Sequence, residues 1–407
     1  MKYRLSILIL ILNLITRNVF AQNTAKTFVF ALNQTDVMLT QVEKAKAIAN
    51  NINAFSPRSL NPDGGLNLVA SGDWCAGFFA GNLWQLYEYS GNEKWMAQAK
   101  AFTAKMEGEK NDGSSHDMGF KVYCSVGNGY RLTHNEHYKD VIITAAKTLS
   151  TRFNPIVGCI KSWDGHKNWK FPVIIDNMMN LELLFEATKL SGDSSYYKIA
   201  VTHANTTMKN HFRADYSSYH VIDYDPETGK VLHKQTAQGY SDESAWARGQ
   251  AWGLYGYTMC YRETGNKAYL HQAEEIAKFI FNNPNMPKDL VPYWDYNDPA
   301  IPNVPRDASA AAIMASALYE LSTYSSGGKQ YKKTADKILN SLSNNYQAPI
   351  DEDKGFLLLH STGHKPAKSE IDVPIIYADY YYLEALLRQR HLKEGKPVIN
   401  TAGKLKY

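Results

Sequence analysis

Two carboxylates stand out by their neighbours. Asp176 sits in "FPVIIDNMMN", where Val173, Ile174 and Ile175 precede it and Met178 and Met179 follow Asn177. Apolar surroundings disfavour a charged carboxyl and raise its pKa, so such a group can hold a proton near neutral pH and deliver it as a general acid. Asp117 lies instead in the polar stretch "SSHDMGF", next to His116. One perturbed and one polar carboxylate at a common mouth are the minimum equipment for cleaving a glycosidic bond. Trp74, Trp84, Trp246 and Trp252 accompany acidic positions of this kind along the chain and would offer flat apolar faces to sugar rings. For Trp84, plain core packing is the better explanation.

The elements that must position these groups recur. Asp73, Asp117, Asp176, Asp242, Asp307 and Asp372 each stand before a stretch of apolar, aromatic and small residues, such as "NMMNLELLFEA" and "ASAAAIMASALYEL". Helices that are apolar nearly all round belong inside a fold. Five of these stretches end at a break, at Gly91, His134, Gly192, Gly265 and Gly327, with an aromatic residue four positions later at Trp95, Tyr138, Tyr196, Tyr269 and Tyr331. A left-handed cap at each break and polar starts after it predict αα-hairpins. The intervals of 43, 58, 73 and 62 residues are too irregular for a solenoid. The predicted fold is all-α, a closed (α/α)6 barrel of six inner and six outer helices. The acidic starts are expected to be N-caps, and six helix N-termini opening on one face favour an anionic ligand. One small β-hairpin is predicted near 219–236, where "YHVIDYDPETGKVLHKQT" alternates around a Pro-Glu-Thr-Gly turn. Its Asp223 and Asp225 read as turn residues in preference to calcium ligands.

Composition bounds the rest. The chain has 407 residues, 44% hydrophobic, enough for a large core. Residues 1–21 read as a signal peptide: Lys2 and Arg4 precede the apolar run Leu5–Ile15, and Val19-Phe20-Ala21 suits a cleavage site. Export to the periplasm or beyond is expected, with residues 22–407 as one catalytic domain and no membrane span. Without the leader, 41 basic side chains face 40 acidic ones, which gives no electrostatic case for nucleic acid. Cys75, Cys124, Cys159 and Cys260 have no metal-type spacing and are expected to be buried free thiols. Neither a metal nor a cofactor is expected.

Five ordered motifs, "HDMGF", "IDNMMN", "YHVIDYDPETG", "QGYSDESAWARGQAWGLYGY" and "LLLHSTGHKP…SEIDVPIIYADYYYLEAL", resemble glycoside hydrolase family 88 from about residue 65 to residue 390. The resemblance implies an (α/α)6 barrel, in agreement with the repeats. It implies a substrate made by polysaccharide lyases, an oligosaccharide with a 4,5-unsaturated uronic acid at its non-reducing end. It also implies that Asp176 protonates C4 and then activates water for C5, with Asp117 steadying the developing charge. By motif match His220, Gln238, Arg248 and Trp252 would line the uronate subsite, with His116 and Trp74 beside them. Arg248 would fork a carboxylate, and Trp252, one turn later on the same face, would stack on the ring.

Some members recognise sulfate with two serines and a lysine in the region of residues 357–369. Here only Ser361 has a counterpart, with Leu358 and Gly363 at the other positions. That site is not carried over, and His364 and Lys365 are the candidates to substitute. The rival enzymatic reading is an unsaturated rhamnogalacturonyl hydrolase, which "SAWARGQAW" and "HSTGHKP" oppose. A glycan-binding protein would have no need of a carboxyl kept protonated by an apolar flank.

Overall fold

The computed structural model describes residues 2–48, 53–165 and 168–399, with side chains from residue 24 onward. The chain opens with α1 (Lys2–Ile48) and a hairpin of β1 (Ser56–Leu60) and β2 (Leu66–Val69). Helix pairs follow. The first is α2 (Ala76–Ser90) with α3 (Glu93–Ala104); the second is a π-helical segment, Gly119–Gly127, running into α4 (Asn128–Thr133), with α5 (Glu136–Ser150). Strands β3 (Phe153–Asn154), β4 (Cys159–Ile160) and β5 (Pro172–Ile174) precede a 3-10 turn, Ile175–Asn180. That turn leads into α6 (Leu181–Ser191) and its partner α7 (Ser194–Asn210). Strands β6 (Val221–Tyr224) and β7 (Val231–Gln235) lead to α8 (Ala247–Thr264) and α9 (Lys267–Asn282), and α10 (Ala308–Leu321) pairs with α11 (Gly328–Ser341). Strands β8 (Ser361–His364) and β9 (Ser369–Val373) come before the last helix, α12 (Ile376–Lys393).

The inner helices close a ring. α2 packs on the π-helical segment, which meets α6; α6 meets α8, α8 meets α10, α10 meets α12, and α12 returns to α2. Every residue of α10 is buried, as its Ala- and Ser-rich sequence predicts. Small residues set the close approach: a Cβ on Gly77 would come within 2.3 Å of the Lys121 carbonyl oxygen. The sixth outer helix comes from the other end of the chain. α1 lies against α12 and α2, and Thr24 Oγ1 donates to Gln389 Oε1 at 2.8 Å. This is the (α/α)6 barrel read from the repeats.

Three expectations need correction. Gly91, His134, Gly192 and Gly265 are left-handed caps, but Gly327 has φ −79 and starts α11, because α10 already stops at Leu321. Of the six acidic starts only Asp307 caps its helix, accepting from Ser309 N and Ala310 N. Asp117 and Asp176 cap nothing, and Asp242 and Asp372 bond Thr236 and His360 in the preceding loops. Asp73 accepts from Cys75 N, in the turn just ahead of α2. Lastly, the hairpin near 219–236 is not alone: β6 and β7 carry β5 as a third strand, and three two-stranded sheets lie elsewhere. Asp225 accepts from Glu227 N and Thr228 N, a turn role as expected.

All four cysteines are buried and unpaired. The expected leader, residues 1–21, has its side chains outside the described residues. Among the described residues no helix is long and apolar enough to cross a membrane.

Towards the C-terminal ends of α8, α10 and α12, buried charges stitch the ring together. Arg262 on α8 pairs with Glu182 on α6, with Glu263 and, at 2.9 Å, with Glu320 on α10. Arg388 on α12 reaches Glu320 at 3.2 Å. Breaking a buried network by removing one partner strands the opposite charges, at about 3–5 kcal/mol. Arg262→Ala should therefore lower unfolding free energy by about that amount, read from the urea midpoint; a change below about 1 kcal/mol would contradict this role.

Candidate active site

The site begins with strand pairing. β5 runs antiparallel to β6 with Ile174 opposite Val221, and Ile175 N donates to the His220 carbonyl at 3.1 Å. This register places the residue that follows Ile175 beside His220, although the two are far apart in sequence. His220 Nε2 lies 3.6 Å from Asp176 Oδ2. On the other side of the ring, Nδ1 of His220 accepts from Ala237 N and Gln238 N, each at 3.1 Å. An Nδ1 that accepts leaves the proton of a neutral imidazole on Nε2, facing Asp176. Burial, helped by the Arg248 charge, holds the His220 pKa well below the ordinary histidine value.

Asp176 lies in the 3-10 turn, all six residues of which are buried. Burial pushes its carboxyl up to about 7; Arg248 and the Trp252 indole oppose the shift, and the charge of Asp117 adds to it. The raised pKa predicted from the sequence is present, with burial as its cause. Asp117 is delivered by the residues just before the π-helical segment. Ser115 Oγ donates to Asp117 Oδ2 at 2.9 Å, and His116 Nε2 stands 3.3 Å from Oδ1. His116 is itself anchored, its N–H donating to Ser162 O while Ser162 Oγ accepts from Ile174 N. Asn180 Oδ1 accepts from Phe120 N at 3.1 Å, and a Cβ on Gly119 would strike Asn180 Cα at 2.7 Å. The two acid-bearing segments are therefore pinned together. π-helical turns of this sort concentrate at functional sites.

Arg248 departs from expectation. Its guanidinium is 1% exposed and already engaged: Nη1 donates to Asp307 Oδ2 at 2.8 Å and to Thr362 O at 2.6 Å, and Nη2 to Gly363 O at 2.6 Å. It is sandwiched near Trp246 and Tyr377, at 4.5 and 5.3 Å from their ring centres. Among the described residues its Nε has no hydrogen-bond partner, so part of the fork remains free beside a fixed positive charge. Trp252 is no open platform. It is fully buried, packed against Phe120 and Tyr381 beneath the site. Trp74, by contrast, is half-buried on the rim, 5.0 Å from Tyr377 and 5.4 Å from Phe120. Trp84 donates to Thr103 and belongs to the core.

The wall is β8. Gln238 Nε2 donates to Gly363 O at 3.2 Å, and His364 Nε2 lies 3.0 Å from Ala237 O, so the 237–238 and 361–364 segments are laced together. Ser361 is buried within this wall. A side chain at position 363 would have its Cβ 2.7 Å from Glu370, so a lysine has no room there. Lys365 is turned to Asp298 at 3.2 Å and to Trp294, which removes it as a stand-in for that lysine. Sequence reasoning did not single out Ser115 or Tyr377. It noted Asp307 only as one helix start among six, which was the available signal, and Trp246 only as an aromatic near a start; its ring centre lies 4.6 Å from that of His220, the planes tilted by 42°.

Two carboxyls, one with its pKa raised to about 7, a neutral imidazole and a fixed cation at a rim of aromatic rings make a site for acid–base attack on a sugar. Residues 44–391 match the model of Glycosyl Hydrolase Family 88. The chain belongs to that family and is a glycosidase. It is 55% identical, over 80% of its length and 82% of the relative's, to an unsaturated glucuronyl hydrolase of Formosa agariphila. It is 33% identical to an unsaturated chondroitin disaccharide hydrolase of Streptococcus pneumoniae, over 78% of this chain and 81% of that one. The crystal structure of an unsaturated glucuronyl hydrolase specific for heparin superposes with a TM-score of 0.84 at 49% identity, covering 90% of this chain and 98% of that one.

The tautomer is directly testable. In 15N spectra of histidine-labelled protein, His220 should remain neutral with its proton on Nε2 through about pH 6.5, where an ordinary histidine is half protonated. A His220 that titrates there, or that carries its proton on Nδ1, would contradict the geometry.

Proposed function

We propose that the protein removes the 4,5-unsaturated uronic acid from the non-reducing end of lyase-made oligosaccharides, and that Asp176 is the acid that starts the reaction. The observation that carries this is the Asp176 carboxyl itself, raised to about 7 beside the Nε2–H of His220. A neutral carboxyl supplies a proton to C4, and the electron pair of the C4–C5 double bond takes it up. Positive character then appears at C5 and the ring oxygen, where Asp117 steadies it. Asp176, now a carboxylate, takes a proton from water as the water oxygen bonds to C5. The hemiketal opens to a C5 ketone, and the hemiacetal left at C1 releases the remaining sugar. His220 Nε2–H holds the anionic form of Asp176 between the two proton transfers.

Arg248 contributes charge, and its unpartnered Nε–H remains available to the uronate. With its Nη1 hydrogens committed, it favours the uronate by field, and it keeps the Asp176 pKa from rising further. Among glycan sources we favour a heparin-type disaccharide over a chondroitin-type one. The 49% identity to a heparin-specific structure against 33% to a chondroitin disaccharide hydrolase supports this. Export belongs to the same proposal and rests on the leader-like residues 1–21; a mature chain beginning at Gln22 is expected.

The test is a panel of unsaturated disaccharides from heparin, chondroitin, hyaluronan and ulvan, followed by loss of the enol absorbance. The heparin-type member should turn over fastest, and a preference for chondroitin would reverse the source assignment. Because the acid must be protonated, activity should persist below about pH 7 and fall as pH rises through it. Asp176→Asn should cut kcat by about 10²–10⁴ while leaving the fold intact. Full activity in that variant would remove Asp176 from the mechanism.

A further inference from the structure

Asp307 stands behind the site, not in it. It is wholly buried, and its two carboxylate oxygens do separate jobs. Oδ1 caps α10, accepting from Ser309 N at 3.1 Å and Ala310 N at 3.4 Å, and also from the Ser309 hydroxyl. Oδ2 accepts from Arg248 Nη1 at 2.8 Å. Among the described residues this is the one carboxylate in hydrogen-bond contact with that guanidinium; the other acceptors, Thr362 O and Gly363 O, are neutral carbonyls. How much of the Arg248 charge reaches the reacting centre is therefore decided at the Asp307 contact.

The groups around Asp176 can be named element by element. Asp117 and His116 face it from the segment before the π-helical turn, His220 from the start of β6, and Arg248 and Trp252 from α8. Arg248 in turn feels Asp307 from α10 and Tyr377 from α12, and it acts on Glu370 in β9 and on Cys75 before α2. Of these, Asp307 alone opposes the Arg248 charge through a direct ion pair. A buried pair in low dielectric is felt at several ångströms, where a screened surface pair is not.

We propose that Asp307 is a positioning residue for the reaction: it holds the Arg248 guanidinium in place beside Trp246 and Tyr377 and neutralises part of the charge that Arg248 presents to Asp176. The inference rests on Asp176 acting as the proton donor. Without the Asp307 charge, Arg248 favours the ionised form of Asp176 more strongly, and the acid loses its proton at lower pH.

The experiment is the pH profile of kcat/KM on an unsaturated disaccharide, measured for the wild type and for Asp307→Asn, Asp307→Ser and Asp307→Glu. Asn and Ser are good N-caps, so both variants keep the start of α10 while removing the charge; two replacements guard against one that fails to fold. Their alkaline limb should move to lower pH by about one unit, a tenfold loss at a fixed pH above the limb. Asp307→Glu keeps the charge and should leave the limb where the wild type has it. An unmoved limb in both neutral variants overturns the proposal whatever happens to the maximal rate, and so does an equal shift in Asp307→Glu. Asp176→Asn, run alongside, separates the two levels. If that variant is active, the assignment of the acid fails; if it is dead while the Asp307 limbs stay put, only the role of Asp307 fails.

Discussion

The hydrogen bond from Ile175 N to the His220 carbonyl is a small thing on which much depends. It is the last rung of the β5–β6 ladder, and it sets the register that brings the acid and the imidazole side by side. A slip of one residue would turn every side chain of that strand to the opposite face. Such a slip is guarded against, because Val173 and Ile174 are buried on both sides and Ser162 fixes Ile174 from the neighbouring segment. The β-structure that reads as a decoration on a helical barrel is thus what assembles the reacting groups, and the helices serve as its frame.

The barrel divides its electrostatics between its two ends. At the N-terminal mouth, among the described residues, Asp176 has no hydrogen-bond partner for its Oδ2, and lack of solvent raises its pKa. At the C-terminal end carboxylates are numerous and are matched by Arg262, Arg388 and Lys189. The same residue types serve opposite ends: unpaired and desolvated they make a proton donor, paired and desolvated they make a rivet. Arg248 belongs to both kinds of arrangement, since it is riveted to Asp307 and still exerts its charge on Asp176.

What the sequence disclosed follows from the range of the interactions. The apolar flank of Asp176 is local, so its burial, and with it the direction of its pKa shift, could be inferred from ten residues. The hairpin breaks and the aromatic four residues later are local too, and four of the five breaks have the predicted left-handed cap. His220 was visible only through a motif, because its tie to Asp176 runs through strand pairing. The engagement of Arg248 has the same root. Its partners lie 59 to 115 residues away, at the start of α10 and on β8, and nothing near Arg248 in the chain announces that Nη1 is already used. The capping error is different: the pattern of acids before helices was real, but the helices begin later than the pattern suggests. That left Asp176, five residues ahead of α6, without helix N–H groups to bond, whereas Asp117 stands directly before its helical segment and turns its carboxylate to Ser115.

The ring is sealed by the two extremities of the chain, α1 lying against α12 with Thr24 on Gln389 and Gln34 on Phe356. Each earlier helix pair is a local hairpin that can form as soon as it emerges. The final seam has to wait for the last helix, since it joins residues more than 300 positions apart. Contacts of that span are the slowest to form, because the loop must close before anything rewards it. An order of assembly is therefore written into the topology: five pairs in sequence, then closure, with α2 and α12 presenting bare apolar flanks until the ends meet.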